Sequence, residues 1–365
     1  MPTNIKMPSL EIIFKGLGAT AIARGERGSA VLIVVDSTGE EGLSKYKTIA
    51  DFSSEEQAKY TTDNVKYIKD ALEGTPLELF VYRMKTESTL TDILKILGGA
   101  IPRNSWIGIL SNTTQHHTDL VTWVKAERKN NKKRYKAVVY KATEPDDMGV
   151  VNLTNEKVTF SDERGEKTGD CAIAWALGYL AGMSLSMSAI AKSIGKFKSV
   201  VEPESLDTAI SKGEFILFND EGTVKVARGV NSLTTTGQDV TEEICYINTV
   251  EKMDLIYCDI FTAWNNSYKG KYPNILDNQM LLISAINAYF KELARDYILD
   301  PNFDNRAKVD IEAQRLANYA KFGEDTVKSW DDNKAMEMTI STKVFLNANI
   351  KITGIMEDFH FEIYM

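Results

Sequence analysis

The glycine-rich stretch Gly16-Leu17-Gly18-Ala19-Thr20-Ala21 has the spacing of a dinucleotide-binding loop, and Asp36 lies near the position of a ribose-binding acid. Such a cofactor site needs a helix that begins at the glycines and points at the pyrophosphate. The residues that follow, Arg24-Gly25-Glu26-Arg27-Gly28, are poor helix formers, and Asp36 ends the very next predicted strand. No room is left for a crossover helix. The pattern favours a link between two parts of the chain, with a cytosolic nucleotide-cofactor oxidoreductase as an alternative.

Other residues of types that could act in catalysis or bind a ligand do not form the pattern of a known site. His116 and His117 are adjacent, so their side chains point apart, and His360 is the third and last histidine of the sequence. The string GEKTGD (165–170) lacks the Gly-Lys-Ser/Thr order of a phosphate loop. The neighbouring acids Asp146-Asp147 and Asp162-Glu163 lie in polar stretches typical of solvated loops. The sequence therefore predicts no catalytic residue, no cofactor and no metal.

Composition and charge restrict the class of protein. The chain has 365 residues, enough for two or three domains, and 43% of them are hydrophobic. The net charge of −8 argues against a nucleic-acid partner, which would favour a basic face. Three cysteines without CxxC spacing indicate reduced thiols made in a cytosol. The N-terminus shows no secretory signal, and the most apolar run, 171–185, is too short to span a bilayer.

Strands and helices alternate over the first 150 residues, which predicts right-handed crossovers and a largely parallel sheet. A capping box at Ser53–Glu56 opens one predicted helix, which ends at Gly74. The other predicted helices are Thr89–Leu97, ended by Gly98-Gly99, and His117–Lys129, with Leu120 and Val124 facing inward. The predicted strands are Ala30–Asp36, Leu77–Arg83, Trp106–Leu110 and Lys136–Tyr140.

The pattern changes after residue 150 to mixed α+β. Asp170 is predicted to cap a helix through Leu180, and Gly213–Val230 reads as a hairpin that turns at Asn219–Gly222. Helical stripes follow at 250–264 and 281–293, and a charged amphipathic helix is predicted from about Arg306 or Val309 to Lys321.

Both ends of the chain resemble extended arms. Near the N-terminus Leu10, Ile12 and Phe14 alternate with other residues before Gly16 and Gly18. Near the C-terminus an alternating strand pattern from Leu346 shifts its phase at Gly354. A second apolar set follows, made of Phe359, Phe361, Ile363 and Met365. Such strands either fold back on their own chain or complete a sheet of a neighbouring chain. The pattern alone leaves both alternatives open.

Several unusual strings occur in order and resemble the tail sheath proteins of contractile phage tails. The similarity is greatest to the short sheaths of myovirus-like prophages and of phage-tail-like bacteriocins from Gram-positive bacteria. The strings are GTVKVARGVNSLTTTG (222–237), ICYINTVEKMDLIYCDI (244–260) and YKGKYPN (268–274), with RGERGSAVLI (24–33) and YLAGMSLSMSAI (179–190) in support.

The resemblance implies a structural subunit that forms stacked hexameric rings around an inner tube. Contraction of such a sheath drives the tube through a target cell envelope without nucleotide hydrolysis. The implied partners are neighbouring sheath subunits, the inner tail tube protein, and baseplate and tail terminator proteins, with no nucleic acid and no direct membrane insertion. Assembly is expected in the bacterial host cytoplasm, after which the protein is expected to be part of a virion tail or of an extracellular phage-tail-like particle. A non-contractile tail structural protein is an alternative.

The resemblance also assigns roles to segments. The arms, with Leu10, Ile12, Phe14, Phe359, Phe361, Ile363 and Met365, are expected to contact neighbouring subunits, and the C-terminal domain is expected to face the tube. Candidate hinges are Gly16, Gly18 and Gly354, and candidate tube-facing residues are Lys308, Arg315 and Lys321. The predicted division is an N-terminal arm (1–18), an α/β domain (19–150), a connecting helix and hairpin region (151–240), a C-terminal inner domain (241–354) and a C-terminal arm (355–365).

Overall fold

The computed structural model describes residues 21–25, 28–238 and 240–365. The predicted arm contacts Leu10, Ile12 and Phe14 and the predicted hinges Gly16 and Gly18 lie outside the described residues. The described chain divides into two compact units. The first, here called the sheet unit, comprises residues 24–259 and 352–365, and the second, the helical unit, comprises residues 21–23 and 260–351.

A seven-stranded sheet forms the centre of the sheet unit, in the order β10-β6-β5-β4-β1-β3-β2. All neighbours run parallel except the antiparallel pair β2 and β3. The strands of this sheet are β1 (Ser29–Val35), β2 (Gly42–Tyr46), β3 (Glu78–Met84), β4 (Trp106–Leu110), β5 (Lys136–Tyr140), β6 (Val150–Leu153) and β10 (Glu214–Phe215). The predicted largely parallel sheet is confirmed, and β2 is an antiparallel edge strand that the sequence patterns did not predict.

The remaining strands of this unit form two small antiparallel sheets. They are β7 (Lys157–Phe160), β8 (Glu166–Thr168) and β9 (Phe197–Val200) in one sheet, and β11 (Leu217–Asp220) and β12 (Thr223–Val226) in the other. The β11–β12 hairpin confirms the predicted turn. Both central turn residues, Glu221 and Gly222, have positive φ angles of 46° and 80°, as a type I′ turn requires.

Helices cover both faces of the large sheet. The helices of this unit are α1 (Ser54–Gln57), α2 (Thr62–Glu73), α3 (Leu90–Ala100), α4 (Thr114–Asn130), α5 (Ile173–Gly182), α6 (Leu206–Ser211) and α7 (Ile247–Ala263), of which α7 belongs to this unit up to Asp259. Leu32 of β1 joins the core that contains α2 and α5, whereas Val31 and Ile33 join the core that contains α3 and α4. Burial on both faces explains why β1 is a continuous apolar run instead of an alternating one.

Helices α2 and α5 approach so closely that their contact requires glycine. A Cβ atom at Gly178 would lie 2.0 Å from the backbone oxygen of Ala71. The glycines in the apolar run 171–185 therefore serve helix packing.

Three helices begin or end at residues other than the predicted ones, for local structural reasons. Ser53 accepts the Glu56 N–H as predicted, but the helix stops at Gln57 and a new one starts after Thr61, whose N–H donates to Asp36 over 2.7 Å. Helix α3 continues through Gly98-Gly99 and ends at Ala100, because the residue before Pro102 adopts extended backbone. Asp170 caps no helix: it lies in a 3₁₀ turn, Gly169–Ala172, and accepts the Thr168 hydroxyl.

A buried ionic cluster joins α7 to α4 and β5. Arg128 donates two hydrogen bonds to Asp254, from Nη1 to Oδ2 over 2.8 Å and from Nη2 to Oδ1 over 3.1 Å. Lys136 forms an ion pair with Glu251, and Arg134 Nε lies 3.6 Å from Asp254. The side chains of Arg128, Lys136, Glu251 and Asp254 are each less than a tenth exposed. The predicted apolar stripe on α7 is therefore accompanied by a second, charged buried face.

The helical unit consists of the end of α7, a π-helical turn (Trp264–Tyr268), α8 (Leu276–Arg295), α9 (Ile311–Phe322), α10 (Glu324–Lys328), α11 (Asp332–Glu337) and the strands β13 (Arg306–Val309) and β14 (Leu346–Asn349). The predicted amphipathic helix at 306–321 is wrong in its first four residues, which form β13. Asp310 separates the strand from the helix because its carboxylate accepts the Ala313 N–H over 3.0 Å and caps α9. The predicted strand at Leu346 is confirmed, and it pairs with β13 of its own chain, one of the two alternatives that the sequence pattern left open.

The β13–β14 pair has one covered and one open edge. The Asp310 N–H donates to the Phe345 oxygen, which makes these two residues a hydrogen-bonded pair of the antiparallel ladder. Such pairs alternate with pairs that share no hydrogen bond, and the register makes Ala307 and Ala348 one of the latter. Their N–H and C=O groups therefore point to the two outer edges of the sheet. Asn287 of α8 covers the β13 edge, because its side chain accepts the Ala307 N–H over 2.7 Å and donates to the Ala307 oxygen over 3.2 Å. Ala348 on the opposite edge is exposed. Within the described residues, β14 thus presents an open strand edge.

Candidate functional site

The residues that the sequence analysis considered for catalysis or binding have structural roles. Asp36 accepts hydrogen bonds from Asn64, Thr38 and Thr61. Burial alone would raise the pKa of Asp36, but these bonds outweigh it and hold the pKa well below its usual range. His117 is buried in the first turns of α4, against the Ser111 carbonyl oxygen at 2.8 Å. Burial lowers its pKa, so the neutral form is favoured.

The acidic pairs singled out in the sequence make structural contacts. Asp146 accepts the N–H groups of Thr234 and Thr235, and Asp162 binds Arg164. No group of histidine, cysteine and acidic residues in the described ranges could hold a metal ion. No helix of the part that the structure describes has both the length and the apolar character to cross a membrane.

The C-terminal segment, residues 352–365, is the most unusual feature of the sheet unit. It forms no regular strand beyond Ile352, although its sequence alternates as a strand would. Lys252 on α7 holds its start, because the ammonium group donates to the Thr353 carbonyl oxygen over 2.7 Å and to Thr353 Oγ1 over 3.2 Å. Lys252 is only 1% exposed, and burial lowers its pKa to about 8.

We expect Lys252 to make stability depend on pH between about 8 and 10.5. Its pKa is lower in the folded chain than its ordinary value of 10.5, so in this window the unfolded chain binds more protons than the folded chain. The free energy of unfolding should therefore rise with pH there, by at most about 1.4 kcal/mol per pH unit from this group. Urea unfolding of the parent and of Lys252→Met at pH 7.5 and 9.5 measures the effect, which the variant should lack. Equal pH responses would contradict it.

Arg228, just after β12, holds the middle of the C-terminal segment. Its guanidinium donates to both carboxylate oxygens of Asp358, from Nη1 over 2.7 Å and from Nη2 over 2.5 Å. Arg228 Nε lies 3.1 Å from a carboxylate oxygen of Glu357, and Nη2 also donates to the Tyr246 hydroxyl. Buried Ser188 donates its hydroxyl hydrogen to the other carboxylate oxygen of Glu357. We call these residues, Ser188, Arg228, Tyr246, Glu357 and Asp358, the arginine clamp.

The two acids in the clamp differ in environment. The Glu357 side chain is 7% exposed, whereas that of Asp358 is 77% exposed. Hydrogen bonds from Arg228 lower the pKa of Asp358. The contribution of this pair to stability is therefore complete above the ordinary aspartate pKa, and it is lost as the pH falls through the lowered pKa. A two-point fork of this kind fixes direction as well as distance. The clamp therefore sets the direction in which the chain continues beyond Asp358.

The last seven residues, Phe359–Met365, project from the clamp with their apolar groups in solvent, and are here called the terminal heptapeptide. The exposed fractions are 87% for Phe359, 67% for Phe361 and 73% for Ile363. Within the heptapeptide, the rings of Phe359 and Phe361 stack with their centroids 5.8 Å apart, and Glu362 pairs with His360 and Tyr364. Apolar exposure this dense in a chain otherwise well packed is typical of a surface that another molecule covers.

The structure separates the other predicted site residues. Gly354 lies between the Lys252 contact and the clamp, with open space where a Cβ would be. Lys308 on β13 and Lys321 on α9 are exposed. Arg315 differs from them: its side chain is 12% exposed and donates to the carbonyl oxygens of Val327 and Trp330 and to Asp332. This engagement inside the helical unit does not favour Arg315 as a tube-facing residue.

The comparisons with known proteins concern the whole chain and its C-terminal part. Residues 239–365 match the family of the phage tail sheath C-terminal domain. A curated tail sheath protein of Clostridium phage phiCD119 is 26% identical over 369 residues, covering 98% of this chain and 99% of the relative. Over nearly its whole length the chain is therefore similar to a phage tail sheath protein. The predicted resemblance to contractile sheath proteins is thereby confirmed.

Solved structures of tail sheath proteins share the fold. A sheath tail protein from Desulfitobacterium hafniense matches with a TM-score of 0.68 at 16% identity, covering 83% of this chain and 94% of that one. The helical sheath of the anti-feeding prophage in its contracted state matches with a TM-score of 0.70 at 11% identity, covering 99% of both chains. The predicted mixed α/β tail sheath fold is confirmed, and the relatives support the predicted function as a structural sheath subunit.

Proposed function

We propose that this chain is a structural, non-enzymatic subunit of a contractile tail sheath whose terminal heptapeptide completes a sheet of a neighbouring subunit. The observation that carries the proposal is the exposed apolar set of the heptapeptide beyond the arginine clamp. Burying Phe359, Phe361 and Ile363 would each contribute roughly 1.5–3 kcal/mol. Ordering the segment and losing translational freedom offset part of this gain.

The acceptor is β14 of the neighbouring chain. Its outward edge, which includes the backbone groups of Ala348, is exposed, whereas Asn287 covers the opposite edge of the same sheet. An isolated two-stranded sheet is marginally stable in water, so a third strand would stabilise it through a new ladder of backbone hydrogen bonds. The alternation of the heptapeptide would place Phe359, Phe361 and Ile363 on one face of the added strand.

Further properties of the assembly belong to the same proposal. Subunits form stacked hexameric rings around an inner tail tube protein, with baseplate and tail terminator proteins at the two ends. Contraction drives the tube through a target cell envelope, and the subunit neither binds nucleic acid nor inserts into a membrane. Assembly takes place in the bacterial host cytoplasm before release as a virion tail or an extracellular particle. The anti-feeding prophage relative, a contracted helical sheath, supports self-association in particular.

A chain that ends at Asp358 should fold but fail to build tubes. This truncation keeps the arginine clamp and removes the terminal heptapeptide, so we expect an unchanged melting midpoint together with monomers in sedimentation and electron microscopy. The matched pair of full-length variants is Phe359→Ser/Phe361→Ser/Ile363→Ser against His360→Ser/Glu362→Ser, which alter opposite faces of the same segment. The apolar set should be needed for tubes and the polar set should be dispensable. Normal tubes from the truncated chain would refute the proposal.

A further inference from the structure

A cavity in the helical unit lies beside the start of β14. It has a volume of about 510 Å³ and opens between the π-helical turn, the first turns of α8 and the residues just before β14. Its apolar wall is formed by Trp264, Tyr268, Tyr272, Leu282 and Val344. A cavity lined by aromatic rings and aliphatic groups suits an uncharged, bulky side chain.

The polar wall of this cavity is rigidly built. Asn274 donates to the carbonyl oxygens of Ser341 and Lys343 over 3.0 and 2.9 Å, which ties the loop after Tyr272 to the segment before β14. Gln279 is 3% exposed, donates to Asn274 Oδ1 over 2.7 Å, and leaves its own Oε1 with no hydrogen-bond partner in the described part of the chain. Among the described residues that line the cavity, Lys269 is the one with a charged side chain. Neutral amides and rings favour an apolar peptide segment over an anion or a cofactor.

We propose that this cavity receives residues Ile363–Met365 of a second copy of this chain, at the end of the strand that the second copy adds to β14. The inference rests on the proposed function and names the site where the added strand ends. Seven extended residues span about 23 Å and the four residues of β14 about 13 Å, so about three residues extend past the strand. Val344 lies two residues before β14, within reach of that overhang.

The direction of the added strand decides which residues enter. Antiparallel pairing is the more stable arrangement per residue and is already used by β13 and β14. A strand antiparallel to β14 runs toward Leu346 and then Val344, so its C-terminal residues arrive at the cavity. Ile363 and Met365 are exposed in their own chain, and their aliphatic side chains match the walls formed by Leu282 and Val344.

A bulky residue at the mouth of the cavity tests the proposal without disturbing a core. Thr342 is exposed and lines the cavity, whereas its exposed neighbour Lys343 does not line it. In the full-length chain, Thr342→Trp should raise the critical concentration for tubes at least ten-fold with an unchanged melting midpoint, and Lys343→Trp should assemble like the parent. Parent-like assembly of Thr342→Trp would overturn the proposal. The chain that ends at Asp358 would still test separately whether the terminal heptapeptide is needed for tubes.

Crosslinking identifies the occupant. Oxidised particles of Thr342→Cys/Met365→Cys should give a ladder of disulfide-linked chains that oxidised parent particles, with the native cysteines alone, do not give. If Thr342→Cys/Phe359→Cys gives the ladder instead, the assigned direction is wrong. Absence of a ladder from both variants, in tubes that form normally, would overturn the proposal even where Thr342→Trp impairs assembly.

Discussion

Arg228→Glu is expected to impair tube formation strongly while the sheet unit remains folded. The substitution removes the guanidinium that binds both Glu357 and Asp358 and places a third carboxylate beside them. The Glu357 side chain is only 7% exposed, so leaving it without its cation costs about 2–5 kcal/mol of the binding of this segment. The terminal heptapeptide would then leave the subunit without a fixed direction. We expect at least a ten-fold higher critical concentration in sedimentation, and faster amide exchange at residues 355–358.

Two companion variants show whether the fork or the charge matters. Arg228→Lys keeps the positive charge but cannot form the two-point contact with Asp358, so an intermediate loss of assembly is expected. The reversed set Arg228→Glu/Glu357→Gln/Asp358→Arg rebuilds an ion pair of opposite polarity and should recover part of the assembly. Tubes from Arg228→Glu at the parental concentration would show that the clamp has no role in directing the arm.

Asp254→Ala is expected to lower the free energy of unfolding by about 3–5 kcal/mol. Asp254 accepts two hydrogen bonds from Arg128, and both side chains are nearly fully buried. Burial alone would lower the pKa of Arg128, but Asp254 outweighs this effect and raises it, so the guanidinium stays charged in the folded chain. Removing the acid leaves this charge buried and poorly compensated, which is the costly case for an internal ion pair.

Chemical denaturation of the unassembled chain measures this loss. The matched control is Glu324→Ala, which removes the exposed pair Glu324–Lys328, with both side chains at least 58% exposed. Pairs of this kind contribute about 0–1 kcal/mol, so the control should unfold almost like the parent. A loss below about 1 kcal/mol from Asp254→Ala would contradict the assignment, because it would mean that Arg134 or Lys136 and water replace the acid without cost.

Much of the fold could be predicted because its sheet is parallel and covered on both faces. The apolar runs at Trp106–Leu110 and Lys136–Tyr140 became strands with the predicted bounds. The errors arose where a distant side chain decided a boundary. Asp36 takes the Thr61 N–H and divides one predicted helix into two, and the Asp310 carboxylate starts α9 after a strand. Such long-range or single-residue hydrogen bonds have no periodicity, so hydrophobic patterns do not contain them.

The candidate site was half predictable. The alternation of Phe359, Phe361 and Ile363 indicated an arm, and the structure leaves these side chains exposed. The anchors were missed, because Arg228 and Lys252 lie 130 and 101 residues from the groups that they bind. Arg228 does stand in one of the strings that carry the family resemblance, GTVKVARGVNSLTTTG (222–237), but the resemblance assigned no role to it. The Asn287 cover over β13 was also missed, since one polar residue on a helix normally faces solvent.

The cover that Asn287 places over Ala307 has a consequence for the valence of the subunit. With one edge of the β13–β14 pair occupied by Asn287, the proposed pairing would give each chain a single acceptor through this sheet and a single donor through its terminal heptapeptide. In the language of polymer chemistry this is an AB monomer, whose products through this link are unbranched chains or closed rings. Removing the cover, as in Asn287→Ala, would create an AB₂ monomer, and branched, insoluble networks would then compete with ordered tubes.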